Sequence, residues 1–147
     1  MRVFLLLFLF FLSCNNKENT SESCTTTSNA KVNEDGFEMY EMSEMAALME
    51  QMYVDNQRLK DRIIKGDTIG EFPQHFKKIH NAVLTDETDK DLFFNEQAKK
   101  FIEAQELIYK EPEKAKEHFN TGIDACIQCH QVKCGGPIPR IKKLYIK

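Results

Sequence analysis

Apolar side chains recur at intervals of three and four residues through most of this chain, which is the spacing of one face of an α-helix. From residue 37 onward the spacing occurs in four segments, and signals for turns separate them. This part of the chain has about 110 residues, a usual size for a domain with one core. The pattern predicts an all-α domain over residues 37–147, folded as an up-down-up-down four-helix bundle.

Each of the four predicted helices has an apolar face. The first ends near Lys65 and Gly66, the second follows Pro73, and the third ends where Glu111 and Pro112 break the pattern, so that the fourth begins there. The residues on these faces are, in chain order, Met42, Met45, Met49, Met52, Asn56, Leu59 and Ile63; Phe72, Phe76, Ile79 and Val83; Phe94, Ala98, Phe101, Gln105 and Ile108; and Ala115, Phe119, Gly122, Cys126 and Cys129.

Residues 126–130 read C-I-Q-C-H, a C-x-x-C-H motif on the last predicted helix. Two thiols three positions apart can add to the two vinyl groups of one haem, and the next residue then offers an imidazole to the iron. On the residues alone two other interpretations stay open. One is half of a zinc site, with Cys134 as a further ligand. The other is a C-x-x-C redox pair, which usually accompanies a βαβ pattern that this chain lacks.

The N-terminus predicts export. Residues 3–12 are an unbroken apolar run, too short to span a bilayer as a helix, and they predict the core of a signal peptide. Residues 11–14 resemble the lipobox of a bacterial lipoprotein signal. We therefore expect residues 1–13 to be removed and Cys14 to become the lipidated first residue of the mature chain. The alternative is an unlipidated signal peptide that is cut nearby.

Residues 14–36 predict a disordered tether. Almost no apolar side chain lies between residues 15 and 33, so this stretch cannot bury enough surface to offset the entropy of ordering. An oxidising compartment would permit Cys24 and Cys134 to pair, and the sequence leaves that pairing open.

The charge of the chain gives no case for nucleic acid as a partner, since the formal net charge is −3. The distribution is uneven: residues 33–52 carry six acidic side chains and no basic one, whereas residues 131–147 carry five basic side chains and no acidic one. The two segments could steer partners or dock on each other. They could equally be two solvated faces.

With these features the chain resembles the cytochrome c-prime family of four-helix-bundle, class II cytochromes c, over about residues 40–130. The resemblance implies one covalent haem c on the last helix. Cys126 and Cys129 would form its thioethers, and His130 would be the proximal iron ligand. Members of the family often dimerise through the faces of helix one, which leaves a homodimer open here.

A methionine of helix one is the expected sixth iron ligand, as in the low-spin relatives. Every methionine after Met1 lies between residues 39 and 52, and none follows the motif. By alignment with the family, Met45 falls nearest the distal position, and Met42 and Met49 lie one turn to either side. Methionine at this spacing also simply fills cores. Other residues expected near the iron are His75, His80 and His118 as competing ligands, and Phe94, Phe101 and Phe119 as walls of the haem site.

The chain departs from the family after the motif, where it continues through a Gly-Gly-Pro turn into a basic tail. The turn is similar to the loop of other c-type cytochromes whose carbonyl receives the proximal imidazole N–H, which would give Pro137 that role. Alternatively, the turn only ends the helix and directs the tail back over the bundle.

These expectations together describe a non-enzymatic, lipid-anchored electron-transfer protein of the cell envelope, which faces the periplasm or the exterior. Its membrane contact would be the lipid anchor, and the sequence does not name its redox partner protein. A first alternative is a five-coordinate haem that binds a diatomic gas such as nitric oxide. A second alternative is a structural metal-binding lipoprotein.

Overall fold

The computed structural model describes residues 41–147 and, before them, two short strands. Strands β1 (Lys31–Val32) and β2 (Glu38–Met39) pair antiparallel, with Lys31 opposite Met39. The predicted signal peptide, Cys14, Cys24 and the predicted tether apart from Lys31–Val32 lie outside the described residues. Within them, no helix has the length and apolar character needed to cross a membrane.

The remainder of the described chain is helical, which confirms the all-α class. Three long α-helices are joined by turns and short 3₁₀ helices. The α-helices are α1 (Glu44–Lys65), α2 (Leu92–Lys110), α3 (Ala115–Val132) and α4 (Ile138–Ile141), and the 3₁₀ helices are Gln74–His80, Glu87–Asp89, Pro112–Lys114 and Lys142–Leu144.

Helix α1 begins and ends through local capping. The Ser43 hydroxyl accepts a hydrogen bond from the backbone N–H of Ala46 at 3.1 Å, which satisfies a donor that the first turn leaves free. Gly66 follows the last turn with a φ of 71°, a left-handed conformation that glycine adopts without a steric penalty. The predicted end of this helix is therefore confirmed.

The second predicted helix is a 3₁₀ helix of seven residues, Gln74–His80, and its face differs from the predicted one. Phe76 and Ile79 are buried as expected, but Val83 is 51% exposed and Ala82 is buried instead. A 3₁₀ helix has three residues per turn, so side chains three positions apart share its face. Phe76 and Ile79 share that face, but the helix ends at His80, so Ala82 and Val83 lie beyond it. The prediction that Val83 lies on the apolar face is wrong.

Helices α2 and α3 pack closely against each other and are joined by a short connection at Pro112. All five residues predicted on the face of α2 are buried, which confirms that face. On α3, Ala115, Phe119 and Gly122 are buried. A Cβ added at Gly122 would lie 3.4 to 3.8 Å from side-chain atoms of Phe101, Ala104 and Gln105, so this part of α3 faces α2.

The basic C-terminal tail packs onto the helices. Its residues Ile141, Leu144 and Ile146 are buried in a core cluster together with Phe119 and Ile123 of α3. Arg140 donates two hydrogen bonds to the Glu50 carboxylate of α1, at 2.6 and 2.7 Å. The acidic and basic segments of the sequence therefore contact each other at this pair.

Candidate functional site

Helix α3 carries the three motif side chains, whose cysteines lie beside two clusters of buried core residues. Cys126, Cys129 and His130 are all partly buried, and their spacing of three and four residues puts them on one side of the helix. Cys129 packs against the cluster that contains Met52 and Phe101, and Cys126 packs against this cluster and also against the cluster of the tail. Cys126 therefore lies where the two core clusters meet, and Cys129 lies against one of them.

His130 is oriented by a backbone carbonyl. Its Nδ1 lies 2.9 Å from the carbonyl oxygen of Cys134. A carbonyl oxygen only accepts, so Nδ1 carries the hydrogen and Nε2 keeps its lone pair. The sequence suggested Pro137 as the acceptor, but the carbonyl in contact is that of Cys134. The reason is that α3 continues to Val132, so the chain just beyond the helix end, rather than the proline turn, returns to the ring.

The environment of His130 favours a neutral ring. Burial lowers the pKa of the imidazole below its usual value of 6.5, and the hydrogen bond to Cys134 opposes this effect. A neutral imidazole with one protonated nitrogen is the form that binds metals. His130 is therefore held in the tautomer and charge state of a ligand.

The two thiols are held in the neutral form. Burial raises the pKa of Cys126 to about 12, and burial also raises the pKa of Cys129. Reactive C-x-x-C motifs of oxidoreductases instead have a cysteine whose pKa is lowered toward or below neutrality. The surroundings of these cysteines therefore give no support to the interpretation as a redox pair.

Two cavities flank the motif. The first lies toward the tail and encloses about 540 Å³, and the second lies toward α2 and encloses about 340 Å³, each including its opening to solvent. The residues that line both are Met49, Met52, Phe101, Cys126 and His130.

The methionines of helix one differ in their position relative to these cavities. Met49 and Met52 line both, together with His130. Met45 is buried in the core cluster of α1 and α2 and lines neither cavity. Met42 precedes the helix and is 49% exposed. The structure thus brings Met49 and Met52, rather than Met45 or Met42, to the cavities of the motif.

Of the other residues expected near an iron, some line the cavities and others lie elsewhere. Phe101 lines both cavities and Phe94 lines the second, whereas Phe119 is fully buried elsewhere in the core. None of the remaining histidines lines either cavity. His75 lies 2.9 Å from an Asp55 carboxylate oxygen, and His118 lies 3.3 Å from a Glu111 oxygen.

Among the described residues, no three His, Cys, Asp or Glu side chains come together as a group that could hold a metal ion. The proposed half zinc site therefore gains no further ligand from this part of the chain.

Sequence reasoning assigned no role to the polar groups of the site, although Asn56 was on the predicted apolar face of helix one. Gln97 is 5% exposed and lines the second cavity. Asn56 lines the first cavity, where its Oδ1 accepts a hydrogen bond of 2.8 Å from Gln105 and its Nδ2 donates one of 2.8 Å to the carbonyl of Met52. A signal for Gln97 was present, since it lies three residues after Phe94 and four before Phe101 on the buried face of α2.

No protein-family model matches this chain, and no curated protein or solved structure matches it either.

Proposed function

We propose that this chain is a membrane-anchored monohaem c-type cytochrome that transfers electrons at the cell envelope. The observation that carries the proposal is the imidazole of His130, which a backbone carbonyl orients beside two neutral thiols and between two mostly apolar cavities. The finer fold, a four-helix bundle with the haem on its last helix, belongs to the same proposal. It is supported by the helical motif and by the packing of α1, α2 and α3 around it.

The donor set fits a haem c. Cys126 and Cys129 are thiols in which each S–H can add across one vinyl group, the sulfur to one carbon and the hydrogen to the other. His130 would be the proximal ligand through Nε2, because its Nδ1 hydrogen is committed to Cys134. A haem bound in this way supplies one-electron chemistry through the ferrous and ferric states of its iron.

The chain's own residues would tune the site. Phe101, Met49 and Met52 form apolar walls beside the motif, and an apolar environment disfavours the more highly charged ferric state. A methionine of α1 as sixth ligand would raise the potential further. Met45 was the residue favoured by alignment, whereas the cavities favour Met49, which is partly buried and lines both.

The absorption spectrum of the exported full-length chain, oxidised and reduced, with and without carbon monoxide, tests this function. A low-spin haem that takes up carbon monoxide poorly is the expected result. A high-spin haem that binds the gas readily would instead favour a gas-binding protein. A chain that contains no haem would favour the structural metal-binding lipoprotein.

The membrane anchor is a separate part of the proposal. Cys14 would carry the lipid, and residues 14–36 would link it to the folded domain. Cys14→Ser is expected to stop acylation and to release or mis-process the protein. Mass spectrometry of the native mature chain checks this, and an unmodified N-terminus at another residue would contradict the anchor.

A further inference from the structure

Large apolar side chains are exposed at the end of the domain where α1 and α2 begin and α3 ends. Of the six that are exposed among residues 41–147, four lie at this end, namely Met42, Val83, Leu92 and Val132. Leu92 is 74% exposed and Val132 is 64% exposed. We call the surface formed by these four side chains the motif surface, since Val132 lies two residues after the C-x-x-C-H motif.

Contacts between separate segments bring the four side chains to the same end. The Lys133 ammonium lies 2.6 Å from an Asp91 carboxylate oxygen, which places their sequence neighbours Val132 and Leu92 near each other. The backbone N–H of Val83 donates to a carboxylate in the first turn of α1 at 3.2 Å. Exposed apolar side chains that are gathered in this way, with polar groups around them, are typical of surfaces that contact a partner.

Acidic side chains surround the motif surface. Residues 83–96 carry five of them, Asp86, Glu87, Asp89, Asp91 and Glu96, and one basic side chain, Lys90. Lys133 adds one positive charge, but Asp89 and Asp91 both lie within 3.5 Å of its ammonium and share it. The rim of the surface therefore has an excess of negative charge, which attracts positively charged molecules.

Cys129 lies just beneath this rim. Burial raises the pKa of its thiol, and the charges of Lys133, Asp91 and Asp89 also act on it, so these groups are close to the sulfur. Leu84, which follows Val83, packs on the same core cluster as Cys129. Electron transfer slows steeply with distance, so a redox partner has to approach the edge of the cofactor. A partner on the motif surface would approach the sulfur of Cys129.

We infer that the motif surface docks a basic redox protein, which presents an apolar contact with lysine or arginine side chains around it; this inference rests on the proposed function. Charge complementarity favours this occupant over two others. Residues 15–40 of the chain itself carry five acidic and two basic side chains, so the rim would repel them. A second copy that presented the same surface would bring two negative rims together. Short-lived complexes between redox proteins have small interfaces, and opposite charges increase their rate of association.

The test is a calorimetric titration of the full-length chain, produced in an exporting host that attaches haem, with mitochondrial cytochrome c as a basic probe protein. At about 0.1 M salt, where charges more than about 10 Å apart are largely screened, we expect binding that weakens as salt is added. Glu87→Gln combined with Glu96→Gln should lower the affinity about 2- to 30-fold. Glu113→Gln combined with Glu117→Gln removes the same charge at the start of α3, the opposite end of that helix, and should leave the affinity unchanged.

The apolar contact has its own matched pair of variants. Leu92→Ser should weaken binding about fivefold or more, whereas Ile64→Ser, at a side chain of α1 that is 59% exposed, should not. The inference is overturned, with the haem in place, if the wild type does not bind the probe or if the rim and control variants bind equally. Self-association in sedimentation that Leu92→Ser abolishes would also overturn it, in favour of a second copy. A haem-free chain that binds the probe with the expected pattern would overturn the proposed function and leave the docking surface intact.

Discussion

The imidazole Nδ1 of His130 lies 2.9 Å from the carbonyl oxygen of Cys134, four residues further along the chain. The end of α3 creates this contact, because the backbone N–H groups of Lys133 and Cys134 donate to the carbonyls of Cys129 and His130 and so hold the chain close to the ring. The same local turn fixes the tautomer that leaves Nε2 able to bind a metal.

The lowered pKa of His130 predicts a pH dependence of stability for the chain without haem. A buried histidine whose folded pKa lies below its unfolded value binds fewer protons in the folded state, so its contribution is fully present above about pH 6.5 and is lost as the pH falls through the folded pKa. Urea unfolding of haem-free wild type and His130→Gln across this range measures it. The wild type should lose more stability on acidification than the variant, and parallel pH profiles would contradict the assignment.

The positions of the methionines relative to the two cavities predict which truncation would change the spin state of the iron. We expect Met49→Ala to convert a low-spin spectrum to a high-spin one and to lower the midpoint potential, because Met49 lines both cavities with His130. Met45→Ala is the matched control on the same helix: it should destabilise by about 2 to 5 kcal/mol and leave the spectrum unchanged. A spin-state change in Met45→Ala alone would show that the alignment with the cytochrome c-prime family placed the ligand correctly.

The hydrogen bond between buried Asn56 and Gln105 predicts that substitutions at the two positions have non-additive effects on the free energy of unfolding. Gln105 donates to Asn56 at 2.8 Å, so replacing either residue by leucine leaves a buried group of the other without its partner. Each single variant should lose about 1 to 3 kcal/mol, and the double variant should lose less than the sum. Urea unfolding of the four proteins of this double-mutant cycle gives the coupling, and strict additivity would argue against the contact.

The surroundings of Gly122 predict that alanine at this position stabilises the folded domain. It lies within α3 against α2, where an added Cβ would meet Gln105 Nε2 at 3.4 Å and Ala104 Cβ at 3.7 Å, close to ordinary contact distances. Gly122→Ala should therefore stabilise the domain by up to about 1 kcal/mol through helix propensity. Gly122→Val should destabilise it, because the branched side chain needs space that α2 occupies. Thermal unfolding of both variants measures the difference.

The long helices could be predicted from sequence because their apolar spacing and their boundary residues agree. On α2, Phe94, Phe101 and Ile108 lie on the buried face, and α1 stops at Gly66 as expected. The segment after Pro73 could not, because its helix is a 3₁₀ helix that ends at His80, and beyond this end Ala82 is buried and Val83 is exposed.

The candidate site could be predicted in its motif and in its aromatic walls Phe94 and Phe101, but not in its other contacts. The motif cysteines and His130 follow from sequence, but the acceptor for His130 depends on where α3 ends. The cavities depend on packing between separate helices, so the contributions of Met52 and Gln97 emerge only from the fold. The burial of Ile141 and Leu144 confirms the alternative in which the turn after the motif directs the tail back over the helices, whereas the sequence did not indicate which tail residues are buried.

The intact mass of the denatured chain, produced in an exporting host that has haem-attachment machinery, tests the central claim most directly. We expect the mature polypeptide plus one haem, which remains attached because two thioether bonds survive denaturation. A double variant with Cys126→Ser and Cys129→Ser should have the mass of the polypeptide alone. If the wild type also has the mass of the bare polypeptide under these conditions, the chain is not a c-type cytochrome.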